Sequence, residues 1–174
     1  LNRLKASKED TNKVNLYRNI CSTMRFTDPL KAIEYGKKGI ILSKKLNFDK
    51  GTAGNYLNMA TAFSYADKLD SALFYLNIAI QYSIKVGDPN RLGLAYLNRA
   101  DTYRQQLNIN AALNDCNTAL KYAEKANNDD VKARVNQTIG AIYFLQKLYN
   151  EAVNYYYKAI PLYDKNNNKR MIAV

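Results

Sequence analysis

A 40-residue period constrains this chain more than any other feature of its sequence. Four segments, PLKAIEYGKKGI, LDSALFYLNIAI, INAALNDCNTAL and YNEAVNYYYKAI, align without gaps. Their first alanines are Ala32, Ala72, Ala112 and Ala152, and a second small residue follows seven positions later at Gly39, Ala79, Ala119 and Ala159. A further column precedes each segment. Tyr17, Tyr56 and Tyr96, with Asn136 in the fourth unit, are followed four residues on by Cys21, Ala60, Ala100 and Gly140. Met24, Phe63, Tyr103 and Tyr143 come three residues after those. The first interval in this column is 39 rather than 40, which predicts a turn around Phe26–Pro29 shorter by one residue.

Residues at i, i+4 and i+7 share one face of a helix, and a small residue between large ones lets a second helix approach closely. Each unit therefore reads as a helix A, a tight turn, a helix B and a second turn. The predicted spans are 8–26 and 29–46, 50–66 and 69–86, 89–106 and 109–126, then 129–146 and 149–165. Breakers fall between units at Asn47-Phe48-Asp49, Gly87-Asp88-Pro89, Asn127-Asn128-Asp129 and Asn166-Asn167-Asn168. Asp49, Asp88 and Asp129 stand where N-caps belong, and Pro89 suits a first helical turn. Strand-like alternation is absent, so the fold class is all-α. The whole of 1–174 reads as one repeat domain, with 168–174 starting a further helix, and the chain reads as an excerpt of a longer protein.

The alanine and aromatic columns resemble the tetratricopeptide repeat over roughly residues 12–166. The third unit carries the pattern as Tyr96, Ala100, Tyr103, Ala112 and Ala119, the second as Tyr56, Ala60, Phe63, Ala72 and Ala79. The departure is length. The usual period is about 34 residues, and armadillo or HEAT units run about 40–47, yet those lack this alanine register. Six extra residues extend each of two helices by nearly one turn of about 3.6 residues. The resemblance implies a right-handed α-α superhelix, a solenoid of about four helix-turn-helix units. The long period, the opening DTNKVNLYRNI and KLNFDKGTAGNYLNMA look like the repeats placed ahead of histidine kinases, helix-turn-helix regulators or nucleotide cyclases in Bacteroidetes-type bacteria. That implies the sensor or scaffold part of a signalling protein, periplasmic or cytoplasmic.

In this family the A helices line a concave groove that holds a protein or peptide segment. The implied groove positions are Arg18, Asn19, Ser22 and Arg25 in unit one, Asn58, Thr61 and Tyr65 in unit two, Asn98, Asp101 and Arg104 in unit three, and Arg134, Gln137 and Phe144 in unit four. Asn19, Asn58 and Asn98 are equivalent, and a column of amides offers donors and acceptors to a peptide backbone. Arg18 and Asn58 match part of the family's carboxylate-clamping scheme, but Ser22, Leu94 and Asn98 depart from it.

Other chemistry finds little support. There is no histidine, which removes Ser-His-Asp and Cys-His catalysis and the commonest metal ligand. No nucleophile–base pair, metal cluster or phosphate loop appears, so no catalytic residue, metal or cofactor is expected. Asp129-Asp130 reads as helix-start acids. Gly36 and Gly39 read as close-packing positions, whereas Gly51 and Gly54 read as merely weakening a helix start. Tyr155-Tyr156-Tyr157 must divide between core and surface, and Cys21 and Cys116 read as buried and inert. No apolar run approaches the roughly 20 residues of a membrane span. The net charge is +11, and residues 1–48 hold 11 Lys/Arg against 4 Asp/Glu, a local +7. The alternative function is therefore a nucleic-acid-associated regulator using a basic N-terminal unit. The last B helix, with Tyr149, Val153, Tyr156 and Ile160, has no partner after it, which predicts self-association or cover by residues 167–174.

Overall fold

A computed structural model describes residues 8–165, and among them every regular element is an α-helix. The eight helices are α1 (Thr11–Met24), α2 (Pro29–Lys45), α3 (Asp49–Tyr65), α4 (Leu69–Val86), α5 (Pro89–Gln105), α6 (Ile109–Lys125), α7 (Asp129–Leu145) and α8 (Tyr149–Lys165). Odd-numbered helices are the A helices and even-numbered ones the B helices. They fall into two compact units, one up to Asp88 and one from Pro89 onward. Residues 167–174, expected to start a further helix or to cover the last B helix, lie outside the described residues.

A half-period of 20 residues is written into the turns. A residue in the left-handed conformation recurs at Asn47, Asp67, Gly87, Leu107, Asn127 and Lys147, with φ between 51° and 66°. The next amide reaches back five residues in every case, for example Phe48 N to Ser43 O at 2.8 Å, Lys68 N to Phe63 O at 2.9 Å and Asn108 N to Tyr103 O at 2.9 Å. This is the Schellman stop, which satisfies a carbonyl left open at the helix end. Glycine occupies the position only once. Leu107 holds φ 59° with its side chain 70% exposed, so its Cβ strain is opposed by little burial. Leu107→Gly is therefore expected to raise stability by about 1 kcal/mol, read as a higher urea midpoint; a lower midpoint would contradict the strain.

The first turn breaks the rule and accounts for the 39-residue interval. α1 ends three residues beyond Cys21, whereas α3, α5 and α7 end five beyond Ala60, Ala100 and Gly140. The missing residue thus comes out of the helix, and the connection is longer than its counterparts. Asp28 N and Thr27 N both bond to Met24 O, at 2.8 and 3.1 Å, and Pro29 holds residue 28 outside the next helix. α1 also starts later than residue 8, because the Asp10 side chain accepts from Lys13 N and fixes the cap there. At α3 and α7 the cap stands one residue before the expected aspartate, at Phe48 and Asn128, whereas α5 starts at Pro89, directly after Asp88 as expected. Asn128 caps α7, and Asp49 and Asp129 are first-turn residues that pair with Lys85 and Lys132 at 2.7 and 2.6 Å.

Inside the first unit, the small-residue columns sit at the contacts. Cys21, Ala32, Ala60, Ala72 and Ala79 are fully buried. A Cβ on Gly36 would lie 2.7 Å from Met59 Cβ, and one on Gly39 would strike the Asn55 amide. Gly51 and Gly54 do more than weaken a helix start. Gly51 lies against the Phe48 ring and Val14, and a Cβ on Gly54 would come within 2.8 Å of Arg18 Cδ, so both let α3 close on its neighbours. Tyr82, Tyr56, Tyr75 and Phe63 stack in sequence with centroids 5.1–6.0 Å apart, filling the space between α3 and α4.

The second unit repeats the scheme with a more aliphatic core. Ala100, Ala112, Cys116, Ala119 and Ala123 pack with Leu97, Val131, Val135, Ile139 and Ile142. Tyr96 stacks on Tyr122 at 5.7 Å and Tyr143 on Tyr155 at 5.4 Å. The three consecutive tyrosines divide as expected: Tyr155 and Tyr156 are half-buried, Tyr156 against Gly140, and Tyr157 is exposed. Burial pushes the Cys21 and Cys116 thiols up to about 12. Neither should react with Ellman's reagent at neutral pH while the chain is folded, and both should react in guanidinium; prompt native reaction of either would contradict the packing.

Candidate functional site

The A helices of each unit pack side by side, α1 with α3 and α5 with α7, and present one polar face. In the first unit much of that face is committed to structure. The Asn58 amide donates to the Arg18 carbonyl at 3.1 Å, so the helices are bridged at the point where Gly54 admits the Arg18 stem. Thr61 donates to the Leu57 carbonyl, and Asn19 is exposed with its carbonyl taken by Thr23. The equivalent asparagines therefore do unlike work, and Asn58 is not a free amide in a uniform column. The Arg25 guanidinium donates to Ser22 Oγ at 2.7 Å and lies 4.5 Å over the Phe26 ring, which meets Tyr65 edge-on at 4.7 Å. Phe26 and Tyr65 are both more than half exposed. Phe26 was not anticipated, because it was read as part of a helix end and turn.

In the second unit the structure brings most of the implied groove residues together. Arg134 Nη2 donates to Asn98 Oδ1 at 3.5 Å. Asp101 Oδ1 accepts from Arg104 Nε at 3.4 Å and from Thr138 Oγ1 at 3.2 Å. Gln137 Oε1 accepts from the Tyr163 hydroxyl at 2.9 Å. Phe144 continues the row along α7, 57% exposed, with its ring edge-on to Tyr149 at 5.5 Å. Tyr163 comes from α8 and was unforeseen. It occupies the column of Ser43, Ser83 and Ala123, and that break from small residues was the available signal. It is almost wholly buried, and desolvation pushes its hydroxyl up to about 12 against the opposing pull of Arg134.

A second arginine pair shows what a closed ion pair looks like in this fold. Arg99 holds Asp115 with two bonds, Nε to Oδ2 at 2.6 Å and Nη2 to Oδ1 at 2.8 Å, and its guanidinium lies 5.1 Å from the Tyr96 ring. Its acidity falls below that of ordinary arginine, first through the Asp115 hydrogen bond. The pair joins α5 to α6 away from the A-helix face.

The basic first helix pair is less free than its charge suggests. Of the α2 lysines, Lys45 pairs with Glu9 at 2.9 Å, Lys38 lies 5.3 Å over the Tyr35 ring and Lys44 5.5 Å over Tyr56. Among the described residues, no cluster of three or more His, Cys, Asp or Glu could hold a metal, and no helix is long and apolar enough to cross a membrane.

Comparison with known proteins agrees with this architecture. The tetratricopeptide repeat family model matches residues 91–165, which span α5 to α8. Comparison with curated proteins gave no match. Among solved structures, the chain is similar to the Signal Transduction ATPase with Numerous Domains protein with a tetratricopeptide repeat sensor from Pyrococcus horikoshii. There the TM-score is 0.76 at 23% identity, covering 96% of this chain and 26% of that one. The apo form of RapI gives 0.74 at 14% identity, over 94% of this chain and 45% of that one. BtubC from P. vanneervenii gives 0.71 at 15% identity, over 89% and 63%. The chain thus spans from a quarter to under two-thirds of these proteins, and at such identities the likeness is one of fold. Residues 91–165 match the tetratricopeptide repeat model, and the fold of the described residues is all-α and TPR-like.

Proposed function

We propose that this chain is a protein- or peptide-binding repeat module without catalytic activity of its own, the sensor or scaffold part of a larger bacterial signalling protein. Tetratricopeptide repeats are generally protein-interaction modules, and one similar structure contains such repeats as the sensor of a signalling ATPase. The observation that carries the reading is the α5–α7 face. Asn98, Asp101, Arg104, Arg134 and Gln137 gather there around hydrogen bonds of 2.9–3.5 Å, beside an exposed Phe144. Polar side chains on rigid helices, with an aromatic at one end, suit capture of an extended segment.

The test is capture of partners from source lysate by wild type, by the double variant Arg134→Ala/Phe144→Ala and by Lys121→Glu on the exposed face of α6. The double variant should lose the captured bands, the α6 variant should keep them, and melting curves should stay within about 0.5–1 kcal/mol of wild type. Retention by a folded double variant would refute this site.

A further inference from the structure

The outward stripes of the two B helices in the first unit set exposed apolar side chains among lysines. Lys37, Lys38, Ile41, Lys44 and Lys45 fall within about 120° around α2, at about 100° per residue, and all five are exposed. Ile41 is 69% exposed, with one lysine pair a turn before it and another a turn after. The stripe recurs 40 residues later on α4 with Phe74, Ile84 and Lys85, and the two apolar residues are 61% and 58% exposed. Ile84 takes the repeat position of Lys44, so it stands within about one turn of the level of Ile41. The second unit has no such arrangement. The positions of Ile41 and Lys44 hold Lys121 and Glu124 in α6, and Pro161 and Asp164 in α8.

The lysines keep their charge. Lys37, Lys38 and Lys44 form no ion pair among the described residues. Lys38 and Lys44 lie over the Tyr35 and Tyr56 rings, contacts that order the stem without neutralising its head. Lys45 and Lys85 pair with Glu9 and Asp49, but both lysines stay about two-thirds exposed, where such pairs are weak. The acids on the stripes themselves, Glu34 and Asp70, lie a turn or more nearer the helix starts. A single exposed isoleucine is ordinary. Isoleucines set among ammonium groups on one face suit a lipid interface, because lysine stems reach headgroup phosphates while aliphatic tips enter the acyl boundary. A nucleic-acid backbone would match the lysines and leave Ile41 and Ile84 unmatched. Neither helix holds an arginine, the side chain that most often reads bases.

From this coincidence we infer that the outer face of α2 and α4 docks on an anionic phospholipid bilayer, with Ile41 and Ile84 inserted and Phe74 at the rim. The contact is peripheral, made by B-helix side chains alone, and it does not depend on the peptide-binding reading above.

The test is sedimentation of the full chain with vesicles of phosphatidylserine in phosphatidylcholine. Wild type should bind these vesicles and not phosphatidylcholine alone. It should be released as salt rises from about 0.1 to about 1 M, which shortens the screening length from about 10 to about 3 Å. Lys37→Gln/Lys38→Gln/Lys44→Gln should weaken binding about tenfold or more, since each lysine near an anionic surface contributes about fivefold. Lys121→Gln/Lys125→Gln/Lys158→Gln removes the same charge from the second unit and should weaken it at most about threefold. The chain has no tryptophan, so Ile41→Trp supplies a unique reporter. Its emission should move to shorter wavelength on the anionic vesicles and stay unchanged on duplex DNA. Circular-dichroism melts confirm that each variant is folded. Absence of sedimentation with anionic vesicles, equal losses from the two lysine triplets, or an Ile41→Trp emission that vesicles leave unmoved would each overturn the inference. Emission that DNA shifts as much as vesicles do would overturn it in favour of a nucleic-acid surface.

Discussion

Asp115→Ala should destabilise the chain by about 3 kcal/mol, the lower end of the cost of removing one partner from a buried ion pair. The Asp115 side chain is 3% exposed and holds Arg99 through two bonds, whereas Arg99 retains 19% exposure and can turn its head partly toward water. The loss arises mainly from leaving a guanidinium desolvated between the Tyr96 and Tyr103 rings. Replacing both partners with leucine should therefore recover most of the loss, because no unpaired charge remains. The measurement is a urea titration of wild type and the two variants. A double variant as weak as Asp115→Ala would mean that the pair supplies packing the leucines cannot replace.

Ala112→Trp should cost a similar amount, about 3 kcal/mol or more, by overpacking. Ala112 is fully buried in the cluster that includes Ala100, Cys116 and Ala119, where small residues set the distance between α5 and α6. An indole there must push the helices apart or distort its own rotamer. Ala111→Trp, one position along and half-buried, supplies the contrast, with a smaller loss. Equal costs at the two positions would show that the alanine register is not what sets the helix spacing.

The fold was legible because the packing columns are redundant. Four units repeat the same small and large residues at 40-residue spacing, so helix boundaries fall within a few residues of those observed. The turns were half legible. Asn47, Gly87 and Asn127 are ordinary helix-stop residues, but Asp67, Leu107 and Lys147 occupy the same left-handed position inside the units. Leucine and lysine disfavour that conformation, so only the packing of both flanking helices explains their place there. Gly51 and Gly54 show the converse. Their helix-breaking tendency was visible, while the close approach of Phe48 and Arg18 that requires them depends on tertiary contact.

The candidate face was legible residue by residue, through register and through the family resemblance, but its bonding was not. Asn19, Asn58 and Asn98 are alike in sequence and unlike in use. The Arg18 carbonyl that captures Asn58, and the Arg134 side chain that reaches Asn98, belong to neighbouring helices. Tyr163 was hidden because a B-helix position in a small-residue column is expected to face packing, whereas its hydroxyl reaches Gln137 on α7.

The central claim is that the A-helix face of the second unit is where a peptide binds. The direct measurement is a two-dimensional NMR titration of the isotope-labelled chain with a library-selected peptide, following backbone amides together with Asn and Gln side-chain amides. The account predicts saturable shifts concentrated in α5 and α7, including the Gln137 side-chain amide and the backbone amides of Arg104, Arg134 and Phe144, with Lys121 and its neighbours on α6 unmoved. Shifts concentrated on the outer faces of α6 and α8, with α5 and α7 unchanged at saturation, would contradict it.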